Sequence, residues 1–327
     1  MSRRTRAYVQ LVAASATWGL SVTFTKFGVD HIAPVTLLPI ELAAAALALW
    51  IALLASRLPI RVRARDAAAL GALEPALAYL FITVGLRYTS GANGSVLTGL
   101  ESCFAVVLAA VLLKERLSAV KIAAVVLALA GLLLVESAGS LTRASWGDLL
   151  VVLGVVFSAL YVIVAKRVDP GSSALTLTTH QFTYALGFSV LVAVGLHVTG
   201  VAPASFAGPR YLLVAAATGI VGFGVSFLLY NSAIRHVSAG TAATVINLIP
   251  VFGVGGAVIV LGEPMRPVAV LGALLIGGAV VLFTRAESRE AAPETGDELC
   301  ERREPTGPSR SSPPPTCPPT PSSTIPN

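Results

Sequence analysis

Residues 85–118 read GLRYTSGANGSVLTGLESCFAVVLAAVLLKERLS, and 148 positions further on residues 233–266 read AIRHVSAGTAATVINLIPVFGVGGAVIVLGEPMR. The two stretches align without a gap. Arg87 meets Arg235, Ser90 meets Ser238, Leu100 meets Leu248, Phe104 meets Phe252 and Glu115 meets Glu263. Nearer the start of each unit the offset is 140, so that Lys26 meets Lys166 and Glu41 meets Gln181. The chain is a tandem repeat, and its charged corners recur because the unit recurs.

Composition sets the solvent of this repeat. Of 327 residues, 55% are hydrophobic and 12% charged, with a mean hydropathy of +0.80. A soluble domain carries about 25% charge, so this chain cannot cover a water-facing surface. Ten apolar segments, 8–27, 34–55, 67–86, 92–113, 119–136, 147–165, 175–197, 211–231, 239–261 and 267–284, each approach the ~20 residues that cross a bilayer core. Backbone groups in lipid must be satisfied internally, so such runs are helices. They are too long for barrel strands.

The expected fold is an all-α membrane protein of ten transmembrane helices, arranged as two inverted five-helix repeats over 8–136 and 147–284. Five crossings is an odd number, so the second copy enters from the opposite side, about a pseudo-two-fold axis in the membrane plane. With residues 1–7 placed in the cytoplasm, 15 of the Lys and Arg up to Arg289 fall on that side and five (Lys26, Arg87, Arg143, Arg210, Arg266) on the other. That bias puts both termini in the cytoplasm. The net charge of +6 then reports topology, and no nucleic-acid partner is implied.

The first span follows Arg3, Arg4 and Arg6 but lacks a small-x-small cleavage site, so it reads as a retained helix. Residues 285–327 hold 10 of the 20 prolines and read as a disordered Pro/Ser-rich cytoplasmic tail. Cys103, Cys300 and Cys317 have no spacing that suggests a disulfide framework or a metal site.

The two quoted stretches, together with TWGLSVTFTK at 17–26, resemble the EamA family of the drug/metabolite transporter superfamily, over about residues 8–284. The resemblance implies a ten-helix secondary transporter, commonly an exporter of metabolites or amino acids. It also implies a central cavity formed by the first four helices of each repeat. The fifth helices would sit apart, for packing or for contacts in a homodimer. Two departures concern carboxylates: the first repeat reads Leu100-Glu101-Ser102-Cys103 where the second carries the proline motif at Pro250, and Glu41 lies where the family commonly has an arginine.

Charged groups inside spans are functional candidates. Glu41, Glu74 and Glu101 are three such carboxylates, and the matching positions of the second repeat hold Gln181, Gly222 and Ile249. A cavity lined by carboxylates suits cationic groups or proton exchange. Gly91, Ser95, Gly99 and Cys103 form a small-residue stripe for helix packing, from which Glu101 points away. Pro75 and Pro250 are candidate helix breaks for gating. Glu41 has a second reading as the salt-bridge partner of Lys26. Trp18 offers a cation-attracting face; His180, Gln181 and Tyr184 form a polar patch; Asn231 and Asn247 add amides that equally suit interhelical hydrogen bonds. Glu115 and Glu263 read as structural caps of the fifth helices.

No nucleotide-binding loop, HExxH, GxSxG or dinucleotide fingerprint occurs, so neither an enzyme nor an ATP-driven pump is expected, and no cofactor or metal. The leading expectation is a proton-coupled exporter of a small metabolite, an amino acid or related amphipathic or cationic compound, in the plasma membrane. The alternatives are a nucleotide-sugar or drug carrier of the same superfamily, or a non-transporting membrane enzyme or sensor.

Overall fold

The computed structural model describes residues 3–113, 118–138, 145–165, 172–200, 208–233, 236, 245–246, 248–264 and 267–290. Every regular element among them is helical. α1 (Arg3–Val29) leads to α2 (Pro34–Ser56), which opens with proline in its first turn, where the missing N–H costs nothing, and closes on Arg57 in the left-handed region. α3 (Ala64–Gly71), a wide π-type segment (Ala72–Leu77) and α4 (Ala78–Leu86) form one broken rod. α5 (Gly91–Thr98) and α6 (Glu101–Leu113) form another, interrupted at Gly99 and Leu100.

α7 (Ala119–Ala138), α8 (Trp146–Ala165) and α9 (Ala174–Val198) follow. Next come α10 (Pro209–Ala217), a second π-type segment (Thr218–Val225) and α11 (Ser226–Ala233), then α12 (Ile249–Leu261) and α13 (Pro267–Glu290). Among the described residues, five stretches are long and apolar enough to cross a membrane: Pro34–Ser56, Ala64–Leu86, Trp146–Ala165, Ala174–Val198 and Pro209–Ala233. Shorter apolar helices lie at Ala119–Ala128, Ile249–Leu261 and Val270–Ala279.

The repeat seen in the sequence is built into the backbone. Shifted by 148, the first π-type segment falls within the second, and the interruption at Leu100 falls on the turn at Leu248 that precedes α12. Pro250 therefore sits in the first turn of a new helix and does not bend a continuous one. Pro75 does mark a break: Glu74 before it is extended (φ −145°, ψ 126°), and the Glu74–Pro75 peptide is cis.

Close approach is set by glycine. Gly71 lies so near the backbone carbonyl of Gln181 that a Cβ would overlap it, and Gly219, 148 residues later, lies in the same way against the carbonyl of Glu41. Each third helix thus crosses the second helix of the other half at an equivalent point. The stripe on α5 behaves likewise. Gly91, Ser95 and Gly99 meet Ala257, Gly253 and Pro250 of α12.

First-half helices pack chiefly on second-half helices: α1 on α11 and α12, α2 on α9, α4 on α8 and α5 on α12. α7 and α13 pack mainly on each other. Polar contacts tie the halves where apolar driving force is absent. Thr17 bonds Ser226 at 2.7 Å, and Thr23 donates to the Gly253 carbonyl at 3.0 Å.

Glu263 differs from its expected role. Its Oε1 and Oε2 accept from the backbone N–H groups of Gly91 (2.7 Å) and Ala92 (2.8 Å), while Ser90 Oγ accepts from Asn93. It caps α5, a fourth helix of the other half, where a fifth helix was expected. The carboxylate suits the positive helix end. Glu263→Ala is expected to lower the unfolding free energy by about 1–2 kcal/mol, read from denaturation in detergent, with Glu263→Gln losing less. Its counterpart Glu115 lies outside the described residues.

Candidate functional site

Polar side chains carried by these apolar helices converge on one cavity. α1 contributes Trp18, Ser21 and Thr25, spaced by three and four and so sharing one face. The broken third helix contributes Glu74 and Tyr79, and the interrupted fourth contributes Thr98 and Glu101. From the second half come Ser158, Phe223 and Ile249. The cavity measures about 60 Å³, room for about four waters. Among the described residues that line it, none is Lys, Arg or His.

The acids lie on one half. Glu74 is buried, with Ser158 hydrogen-bonded to its carboxyl, and it lies close enough to Glu101 for the two charges to oppose each other. Glu101, half-buried, opens α6. Ile249, its counterpart in the repeat, lines the same cavity without a charge. Two neighbouring carboxylates in so small a cavity, with no fixed cation among the described residues, are unfavourable unless a proton or a cationic ligand joins them.

The aromatic wall is held in place. Trp18 Nε1–H donates to Tyr79 Oη at 2.7 Å, and the Trp18 ring packs on Phe227 at 4.6 Å and Tyr230 at 5.9 Å. Tyr79 in turn lies 4.5 Å from Phe223. One face of this cluster borders the cavity; the other merges with the core formed by Phe182, Leu42 and Leu70.

The remaining candidates are placed elsewhere. Gln181 is fully buried behind the cavity, and its Nε2 donates at 2.7 Å to the carbonyl of Glu74. It thereby satisfies a backbone group in the broken third helix. His180 bonds the Thr176 carbonyl through Nδ1 at 2.9 Å and packs on Trp50, whose Nε1–H donates to Thr183. Tyr184 is 40% exposed on the outer surface of α9. Asn231 Nδ2 donates to Thr178 Oγ1 at 2.9 Å, an interhelical bond. Asn247 and Lys166 lie outside the described residues.

Glu41 does not pair with Lys26. Lys26 Nζ reaches Asp30 one turn away at 2.9 Å, whereas Glu41 accepts from Thr25. Thr25, Tyr79, Thr98, Ser158 and Phe223 were not singled out from the sequence. The 18–21–25 spacing along one face of α1 was the available signal for Thr25.

The sequence pattern of the EamA-like transporter family matches residues 5–137 and again 145–285. The chain belongs to the EamA-like transporter family. Its two repeats are the two copies of that pattern, and with its apolar helices it is a multi-pass membrane protein. The Bacillus subtilis protein named Uncharacterized transporter YyaM is 29% identical over 204 residues, which span 59% of this chain and 64% of that one. A Streptantibioticus cattleyicolor protein named Probable terminal-alkyne amino-acid exporter is 26% identical over 298 residues, covering 89% of this chain and 97% of that one. A solved structure, described as the crystal structure of a protein, aligns with a TM-score of 0.62 at 17% identity over 88% of this EamA-type chain and 100% of its own, a likeness of fold alone.

Proposed function

We propose that this transporter is a proton-coupled exporter of small metabolites that carry an amino group and an apolar body, such as amino acids. It works by alternating access of two inverted five-helix repeats, 8–136 and 147–284, in the plasma membrane with both termini cytoplasmic. The observation that carries the reading is the pair Glu74 and Glu101 in one cavity that offers them no fixed cation among the described residues. Protons and an ammonium group then compete for the same carboxylates, and competition at one site is what exchange transport requires. The aromatic wall of Trp18, Tyr79 and Phe223 suits the apolar body and the face of a cation.

The kinship with a protein named as an amino-acid exporter supports the cargo class. A phosphate-bearing cargo fits poorly, since the cavity's described residues include no Lys or Arg to meet it. Matching breaks in equivalent helices, where backbone carbonyls are freed near the cavity, support a binding site at the interface of the repeats.

The test is a thermal-shift screen of the purified full chain against amino acids, polyamines, cationic drugs and nucleotide-sugars, followed by efflux from liposomes. Amine-bearing compounds are expected to raise Tm, by several degrees at saturation, and an imposed proton gradient to drive their efflux. Stabilisation by nucleotide-sugars alone, or efflux indifferent to the gradient, would overturn the reading.

A further inference from the structure

Behind the cavity wall lies another carboxyl, reached from the cavity through a single hydroxyl. Thr25 lines the cavity, and its Oγ1–H donates at 2.9 Å to Oε1 of Glu41. Glu41 is completely buried, and its Oε2 has no hydrogen-bond partner among the described residues.

Among the described residues, no charged side chain on the elements around α2 pairs with Glu41. On α1, Lys26 is bound to Asp30. On α4, Tyr79 accepts from Trp18, and on α9, His180 lies against Trp50. On α10, the Arg210 guanidinium lies over the Tyr211 ring, which stacks on His31. The second π-type segment meets Glu41 with the backbone of Gly219. Burial and the Thr25 hydrogen bond are what act on this carboxyl.

The repeat supplies an internal control. Gln181 occupies the equivalent place, makes the equivalent close crossing with Gly71, and uses its amide to hold the third helix through the Glu74 carbonyl. A neutral side chain therefore suffices for the packing at this point. What a carboxyl adds to an amide of the same shape is a proton that can leave and return.

We infer that Glu41 is a proton relay, exchanging protons with the cavity acids Glu74 and Glu101 through the Thr25 hydroxyl. It lies seven residues from the start of α2, about 10 Å along the helix, and so nearer the membrane surface than the cavity acids. In the orientation observed, Thr25 passes its hydroxyl proton to Glu41 Oε1 and takes one from the cavity side. Rotation about Cβ–Oγ1 reverses the direction. One carboxyl loses a proton, the other gains it, and Thr25 is returned unchanged.

The inference rests on the coupling reading above, and a pH-jump infrared experiment on the liposome-reconstituted full chain separates the two. Wild type is expected to show a protonated-carboxyl C=O band for each of Glu41, Glu74 and Glu101. Glu41→Gln, isosteric with Gln181 and so compatible with the fold, removes one of them. Thr25→Val shifts the Glu41 band and slows protonation of the cavity acids by at least about tenfold; Thr25→Ser restores the rate. Unaltered bands in Glu41→Gln, or cavity acids that titrate at the wild-type rate in both Glu41→Gln and Thr25→Val, overturn the relay alone. Failure of Glu74 and Glu101 to titrate in wild type overturns the coupling reading itself.

Discussion

Glu101→Gln is expected to lower proton-driven efflux roughly 100-fold while the protein still folds and inserts. The side chain opens α6 just after the interruption that separates it from α5, and it faces the cavity. Glutamine keeps its volume and hydrogen-bonding capacity but can neither carry a proton nor answer an ammonium group with charge. Glu74→Gln should give a similar loss, because the two carboxyls share one cavity and act on each other. The double variant should be little worse than either single one, as expected for groups that work as a unit. Efflux from liposomes under an imposed pH gradient measures the rate, and downhill counterflow without a gradient separates coupling from binding. Gradient-driven efflux at the wild-type rate in Glu101→Gln would remove this acid from the mechanism.

The second large effect is structural. Gly219→Leu should destabilise the protein by about 3 kcal/mol, because even a Cβ there would overlap the backbone of Glu41. A backbone carbonyl cannot rotate aside as a side chain can, so α2 and the second π-type segment must separate. Gly71→Leu should do the same against Gln181. Gly187, with nothing within 4 Å of its would-be Cβ, is the control: Gly187→Leu should stay within about 0.5 kcal/mol of wild type. Unfolding in detergent, followed by tryptophan fluorescence, measures all three.

Part of this arrangement was legible in the chain. Pro75 marked the broken third helix of the first half, whereas the matching break at Thr218–Val225 and the interruption at Leu100 carry no proline and emerged only in the structure, where the offset of 148 relates them. The stripe at Gly91, Ser95 and Gly99 correctly marked a packing face, since small residues allow close approach in lipid. Glu74 and Glu101 stood out as charges in apolar runs. Partners were less legible. Helical spacing says which residues share a face, but in a membrane the lipid-facing side is as apolar as the packed side. Nothing in the pattern therefore separates Tyr184, on the outer surface, from Gln181, three residues earlier and fully buried. The same gap hid Thr25 behind Lys26 as the partner of Glu41, and assigned Glu263 to the neighbouring helix in sequence when it caps one 172 residues away.

Both cavity acids belong to the first half, while the second offers Gly222 and Ile249 at the equivalent positions. Any rocking of one half against the other therefore displaces charge that has no mirror image. A membrane potential acts on each elementary charge moved across it with about 2.3 kcal/mol per 100 mV. An energised membrane would thus favour one orientation of the unloaded carrier, giving a scaffold of two like halves an electrical polarity.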